Sequence, residues 1–292
     1  MNVLVLGTGG QVGASLVGML GCFAKVTPVP RTALDVGDLD ALRGVLRAAQ
    51  PHVVVNASAY TEVDAAERDE PRATLVNGDA VGVMGEECQR MRAGLVHYST
   101  DFVFDGGGSR PYREDDPVAP LGAYGRSKLA GERALTDSGA PAVVLRTAWV
   151  YTRWRKSFVS AMLRLARERE VLRVVSDQVG NPTFANDLAC ATAQLLYGMR
   201  SDPFAALAEA RGIYHVAGAG QATRFELAVA ALELDPRSQE HKVRKIEPIA
   251  TSEYPLPAER PAYAPLDCTK FQARFGLALP GWKEALTRAL RD

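Results

Sequence analysis

The stretch Gly7-Thr8-Gly9-Gly10-Gln11-Val12-Gly13 decides how this chain is read. It follows an apolar run, Val3-Leu4-Val5-Leu6, and precedes a helical pattern at Val12, Leu16, Val17 and Leu20. Spaced glycines become informative when strand, turn and helix follow one another in this way. Gly7 permits a tight turn. Gly10 lets the backbone approach a pyrophosphate, and Gly13 lets the helix pack closely on the strand. The helix start offers free N–H groups and the positive end of its dipole to phosphates. The spacing is G-x-x-G-x-x-G rather than G-x-G-x-x-G. Taken alone, the stretch also fits a glycine-rich turn without a ligand.

The pattern continues outward. Strands are expected at Val3–Leu6, Val26–Val29, Val53–Val55, Leu95–Tyr98 and Ala142–Leu145. Helices are expected between them at Val12–Leu20, Leu39–Ala49, Val63–Arg68, Ala73–Met91 and Tyr124–Thr136. Such alternation predicts an α/β fold: a Rossmann-like, doubly wound parallel sheet covered on both faces. All strand C-termini then share one rim, where ligands bind. After Trp149 the pattern loosens into a helix near Phe158–Arg169, a strand at Leu172–Val175 and a loop at Asp177–Thr183. A helix at Asn186–Leu196 and a strand at Ile213–Val216 are expected to return to the sheet. The proline-rich end closes with a helix at Trp282–Leu290. The expected division is a nucleotide-binding domain over 1–148, rejoined by 184–217, and a smaller discontinuous substrate-binding domain over 149–183 and 218–292. Arg200–Arg211 reads as a surface insertion.

Bulk properties narrow the classes. The 292 residues carry zero formal net charge, so no basic excess favours a nucleic-acid polymer. No run reaches the ~20 apolar residues of a membrane span, and with the first strand expected from the very start of the sequence no leader is expected. The four cysteines form no C-x-x-C pair, as expected of free thiols in a cytoplasmic protein. The four histidines form no cluster, so no metal site is expected from them.

Two further constellations carry chemistry. Tyr124 and Lys128 are four residues apart and share one face of a helix. A nearby ammonium is expected to lower the tyrosine pKa from its ordinary ~10 toward a working range. His97-Tyr98-Ser99-Thr100-Asp101 runs off a predicted strand onto the ligand-binding rim. A hydroxyl there can donate to a carbonyl oxygen as negative charge develops on it.

With these residues in hand, the chain resembles the extended short-chain dehydrogenase/reductases, and among them the dTDP-4-dehydrorhamnose reductases. Beyond the glycine turn, the motifs are VNASAYTEVDAAE at Val55–Glu67, HYSTDFVFDG at His97–Gly106 and PLGAYGRSKLAGE at Pro120–Glu132. They continue as RTAWVY at Arg146–Tyr151, DQVGNPT at Asp177–Thr183 and YPLPAERPAYAPLD at Tyr254–Asp267. The resemblance spans nearly the whole chain. It implies hydride transfer from a reduced nicotinamide to C4 of a 4-keto dTDP-sugar. Tyr124 would give the proton, Lys128 would tune it and hold the nicotinamide ribose, and Thr100 would bind the carbonyl. The implied cofactor residues are Gly7, Gly10, Gln11, Val12, Gly13, Arg31, Asp35, Val36, Ala57, Ala59, Tyr60, Thr61, Tyr98 and Lys128. The implied substrate residues are Thr100, Asp101, Phe104, Tyr124, Trp149, Asn181 and Arg260, the last toward the diphosphate.

The second strand ends Val29-Pro30-Arg31 with no acid to bind ribose hydroxyls, and Arg31 suits a 2′-phosphate. NADPH is therefore the expected cofactor, with NADH also accepted in this family. Related dehydratases carry an acid after the Thr-Asp pair. Here Phe102 stands there and cannot act as a base. The stretch Tyr151–Phe158 is bulkier and more basic than in relatives, so their contacts do not transfer. Some members pair through Mg²⁺ held partly by an acid of the first helix. Ser15 stands at that position here, which leaves Mg²⁺ and the choice between monomer and homodimer open. A reductase for another deoxysugar, or a non-catalytic subunit on the same fold, is the alternative. The set of Tyr124, Lys128 and Thr100 favours the enzyme.

Overall fold

A computed structural model describes residues 1–291. Its centre is a six-stranded, all-parallel sheet. Five strands are labelled β1 (Asn2–Leu6), β2 (Lys25–Val29), β3 (Val53–Asn56), β4 (Gly94–Thr100) and β5 (Ala142–Thr147). A sixth, Gly212–His215, forms one edge, and the order from it is β5, β4, β3, β1, β2. The order reverses between β1 and β3. At that switch point the connections leave in opposite directions and open a crevice above the strand ends. Pro28 is tolerated in β2 because β2 is the opposite edge.

Successive side chains of a strand face opposite layers. Val3 and Val5 of β1, Val53 and Val55 of β3, and Val143 and Leu145 of β5 pack on one face. There the helices Gln11–Gly21 (α1) and Ala185–Gly198 cover them through Leu16, Leu20, Leu188 and Leu196. Leu4, Leu6, Val54 and Leu95 pack on the other face, under the helices Leu39–Ala49 and Ala80–Met91. Continuous Val/Leu runs are therefore what a sheet buried on both sides requires.

The remaining chain builds a smaller layered unit. The strands Val171–Val175 and Lys245–Ile249 pair in parallel. The helices Phe158–Glu168, Arg224–Glu233 and Trp282–Arg291 bury Val159, Leu163, Leu227 and Leu286 around them. No described helix is long and apolar enough to cross a membrane.

Several segments differ from the expectation. Arg200–Arg211 is no mere surface insertion: Pro203–Glu209 is helical and seats a fully buried Leu207 against the sheet. The helix Thr269–Phe275, expected in the small domain, packs Phe271 on the large sheet's edge. The expected helix over Ala73–Met91 is instead a short helix, a π-helical turn at Leu75–Asp79 and a longer helix. At that wide turn the Asn77 carbonyl lies where a Cβ on Gly131 would come within 2.1 Å, so helix Ala123–Asp137 crosses in tight contact.

Candidate active site

The strand ends open into a cleft of about 840 Å³, toward the upper end of the range for ligand pockets. The turn after β1 forms its floor. Gly7 has φ +78°, and a Cβ there would stand 2.5 Å from the Ser58 backbone nitrogen. Only glycine satisfies both constraints. Gly10 precedes α1 and provides no side-chain cap, so the first N–H groups of the helix have no side-chain acceptor. Nothing lies within 4 Å of a Cβ built on Gly9, and the buried Gln11 Oε1 has no partner among the described residues. An uncapped helix start and an open glycine in one concavity suit a dinucleotide pyrophosphate. Gly13 lies behind the turn, where a Cβ would meet the Gly7 carbonyl oxygen at 2.3 Å.

The loop after β3 supplies one wall with Ala57, Ala59, Tyr60 and Thr61. Asn77 braces it: the Tyr60 N–H donates to Asn77 Oδ1 at 2.8 Å, and Asn77 Nδ2 donates to the Tyr60 carbonyl at 3.0 Å. The same Nδ2 donates to Ser127 Oγ at 2.9 Å, joining this wall to the helix that carries Tyr124. Val36 and Arg31 line the end beyond β2. Asp35 is there too, but its carboxylate is paired with Arg72, which also lines the cleft. The Gly37 N–H and the Arg72 guanidinium hold the Asp35 carboxyl below its usual range.

Tyr124 and Lys128 sit in the first turns of helix Ala123–Asp137. A carboxylate from far away in sequence caps this helix: the Ala123 N–H donates to Glu67 Oε1 at 2.7 Å. A Cβ on Gly125 would meet the Phe102 carbonyl oxygen at 2.2 Å, so the helix start presses directly on the turn after β4. That turn carries Thr100, whose hydroxyl donates to Asp101 Oδ1 at 2.9 Å and accepts the Phe102 N–H at 3.2 Å. The Phe102 ring meets Tyr124 edge-on, with centroids 5.5 Å apart. Thr100, Asp101, Tyr124 and Lys128 all line the cleft.

The electrostatics differ from the simplest expectation. Burial pushes the Tyr124 phenol up to about 12, opposed by the Thr100 hydroxyl and reinforced by Asp101. Burial also pushes Lys128 down to about 8, with Glu132 opposing it. Lys128 Nζ donates to the Tyr98 carbonyl at 2.6 Å and lies 3.2 Å from His97 Nε2. The tautomer of His97 follows from its other partner. Asn56 Oδ1 already accepts from the Ser58 N–H and hydroxyl, so Asn56 Nδ2 donates to His97 Nδ1 at 3.0 Å. The imidazole proton is then on Nε2, aimed at Lys128. A donor facing an ammonium disfavours the charged amine.

Two expected substrate residues do not reach the cleft. Phe104 is fully buried, stacked on Tyr112 at 4.2 Å between centroids and edge-on to His215. Asn181 is buried and spent on backbone: Nδ2 donates to the Gly218 and Gly220 carbonyls, and Oδ1 accepts the Leu266 N–H at 2.7 Å. Tyr98 reaches the cleft edge, but its hydroxyl is bound to Thr192 in the core. Its contribution there is the carbonyl that holds Lys128. Trp149 lines the cleft with φ +44°, a conformation non-glycine residues rarely adopt. Arg260 also lines it, anchored to Asp64 Oδ2 at 2.8 Å and to the Ala258 carbonyl. Ser15, at the position of interest for a metal, donates its hydroxyl to Asn186 Oδ1 at 2.6 Å.

Arg72, Arg224, Asn77 and Glu67 are site residues that sequence reasoning missed. Each is a lone polar residue whose surroundings come from distant parts of the chain, so no spacing announces it.

Comparison with known proteins identifies the family. The family model for the RmlD substrate binding domain matches residues 1–292. A dTDP-4-dehydrorhamnose reductase of Burkholderia thailandensis is 44% identical over 295 residues, covering 100% of this chain and 99% of that protein. The crystal structure of a dTDP-4-dehydrorhamnose reductase from Clostridium acetobutylicum superimposes with TM-score 0.89 at 30% identity, covering 100% and 99% of the two chains. That of a Bacillus anthracis dTDP-4-dehydrorhamnose reductase in complex with NADP gives TM-score 0.89 at 30% identity, covering 99% and 98%. From its sequence and its fold alike, this chain belongs to the dTDP-4-dehydrorhamnose reductase family.

Proposed function

We propose that the protein reduces the C4 ketone of dTDP-4-dehydro-6-deoxy-L-mannose with NADPH to give dTDP-L-rhamnose. The observation that carries this reading is the convergence of Thr100, Tyr124 and Lys128 on one rim, beside the uncapped start of α1. A bound reduced nicotinamide supplies the hydride that goes to C4.

The protein's residues supply the rest. The Gly7–Gln11 turn and the N-terminus of α1 hold the pyrophosphate, and Ala57, Ala59, Tyr60 and Thr61 wall the nicotinamide half. With the ketone in place, the Thr100 hydroxyl turns its one proton from Asp101 Oδ1 to the ketone oxygen and polarises it. Tyr124 stands as the neutral phenol, the form that has a proton to give, and donates it to the forming alkoxide. The phenolate left behind is stabilised by Lys128 in its charged form. Phe102 offers no base next to the ring, so proton abstraction from carbon is not provided for. Arg31 and Arg72 give the adenosine end two guanidiniums, with Asp35 neutralised by Arg72. That charge balance suits a 2′-phosphate and underlies the choice of NADPH over NADH.

The test is a coupled assay. The purified protein receives the 4-keto-6-deoxy-L-mannose nucleotide, generated in situ, and NADPH. The expected result is one NADPH oxidised per dTDP-L-rhamnose formed, with the product identified by proton NMR. A 6-deoxytalose configuration at C4 would instead identify a reductase of opposite facial selectivity.

A further inference from the structure

Arg224 opens the helix Arg224–Glu233, which Thr223 and Glu226 cap reciprocally. Its guanidinium carbon lies 3.6 Å over the Trp149 ring and 5.1 Å from the Phe158 ring. It lines the cleft together with Thr100, Asp101, Tyr124 and Trp149. Two other guanidiniums of the cleft are committed: Arg260 to Asp64, and Arg72 to Asp35. Arg224 makes no side-chain hydrogen bond or ion pair with any described residue. Burial pulls it down to about 10, opposed by the charge of Asp101. Arg224 is half-buried, and its five N–H donors are free to meet a ligand in the cleft.

Asp101 presents the complementary deficit. Its Oδ1 accepts from Thr100, while its Oδ2 is buried without a partner among the described residues. The two groups attract one another across the cleft without forming an ion pair. The unpartnered Asp101 oxygen, buried in the cleft wall, and the free Arg224 donors therefore bracket the space next to Thr100 and Tyr124. A phosphate offers acceptors alone; it would satisfy Arg224 and be repelled by Asp101. A hydroxyl both donates and accepts, and satisfies the two at once.

We propose that Arg224 is a substrate-binding residue that acts with Asp101 as a donor–acceptor clamp on a ring hydroxyl of the sugar, beside the carbonyl being reduced. The stack of the guanidinium on Trp149 fixes where that clamp sits. The clamp makes the enzyme selective for sugars bearing a hydroxyl next to the ketone, a specificity distinct from recognition of the nucleotide. This inference rests on the sugar-nucleotide reading above.

Isothermal titration of the full-length protein with dTDP and with dTDP-L-rhamnose tests it, using wild type, Arg224→Met and Arg224→Lys. Methionine keeps an unbranched apolar stem over Trp149 and removes the donors. The expected result for Arg224→Met is a loss of about tenfold or more in affinity for dTDP-L-rhamnose, the scale of a charged hydrogen bond, with dTDP affinity unchanged. Arg224→Lys, charged but without the planar fork, is expected to lose affinity for the rhamnosyl nucleotide alone as well. Equal losses for both ligands would make Arg224 a phosphate ligand and overturn the proposal. Unchanged affinity for both would reduce Arg224 to a packing residue for Trp149, and overturns it too. NADPH binding, followed by fluorescence, verifies that each variant is folded. Wild-type protein that binds dTDP-L-rhamnose no better than dTDP would contradict the reading of the function itself.

Discussion

At the scale of single residues, charge state decides what the site does. Lys128 titrates near 8 because it is buried, so it is cationic below that pH and neutral above it. In the mechanism we propose, reduction needs the cation to stabilise the tyrosinate. The value of kcat/KM is therefore expected to fall as pH rises through about 8, and its pH profile reports this group in the free enzyme. Replacing His97 with leucine removes the donor aimed at Lys128 and is expected to move that limb to higher pH. Arg72 is the second decisive residue. In Arg72→Ala the Asp35 carboxylate is released beside the adenosine end, where it repels a 2′-phosphate and attracts ribose hydroxyls. Dissociation constants for NADPH and NADH are expected to converge in this variant, with NADPH weakened by about tenfold. An unchanged ratio would remove Arg72 from the explanation of cofactor choice.

Elements position these residues, and their own stability is open to measurement. The helix bearing Tyr124 and Lys128 lacks a side-chain cap of its own at Gly122 and borrows the Glu67 carboxylate. Glu67→Ala is expected to cost about 0.5–2 kcal/mol in denaturant unfolding and to lower turnover more than stability alone accounts for, because the first turn holds Tyr124. The Pro203–Glu209 helix offers a contrast. Leu207 is fully buried against the sheet and takes no part in lining the cleft. Leu207→Ala is expected to cost about 2–5 kcal/mol with little change in KM. These two elements also show what is legible in a sequence. Runs such as Val53-Val54-Val55 announce a strand because a parallel sheet buries both faces, and they are readable without a structure. Leu207 sits among alanines in a short segment whose periodicity is too brief to separate from a surface turn. The π-helical turn at Leu75–Asp79 leaves the helical period almost intact, so only the contacts of Asn77 expose it.

For the whole molecule, the cleft lies where the large sheet's rim meets the smaller unit. The two are tied by Asp64, which accepts from the Arg260 guanidinium and from the Ala258 N–H. The residues that bear chemistry are legible because spacing carries them: Gly7 to Gly13 by a turn, Tyr124 to Lys128 by one helical turn, Thr100 by the end of a strand. Phe104 shares a motif with cleft residues yet points into the core, since a motif records a neighbourhood and not a direction, and the whole motif of Asn181 lies away from the cleft. Arg72 and Arg224 have no local signature, because what makes each of them notable is a partner, or the lack of one, supplied by tertiary contact. Everything in this mechanism depends on Tyr124 giving its proton to the forming alkoxide. Tyr124→Phe tests that step, with turnover and NADPH affinity measured on the same preparation. The expected outcome is an NADPH dissociation constant within about twofold of wild type and turnover lower by about 10²–10⁴. Wild-type turnover in that variant would contradict proton donation by Tyr124.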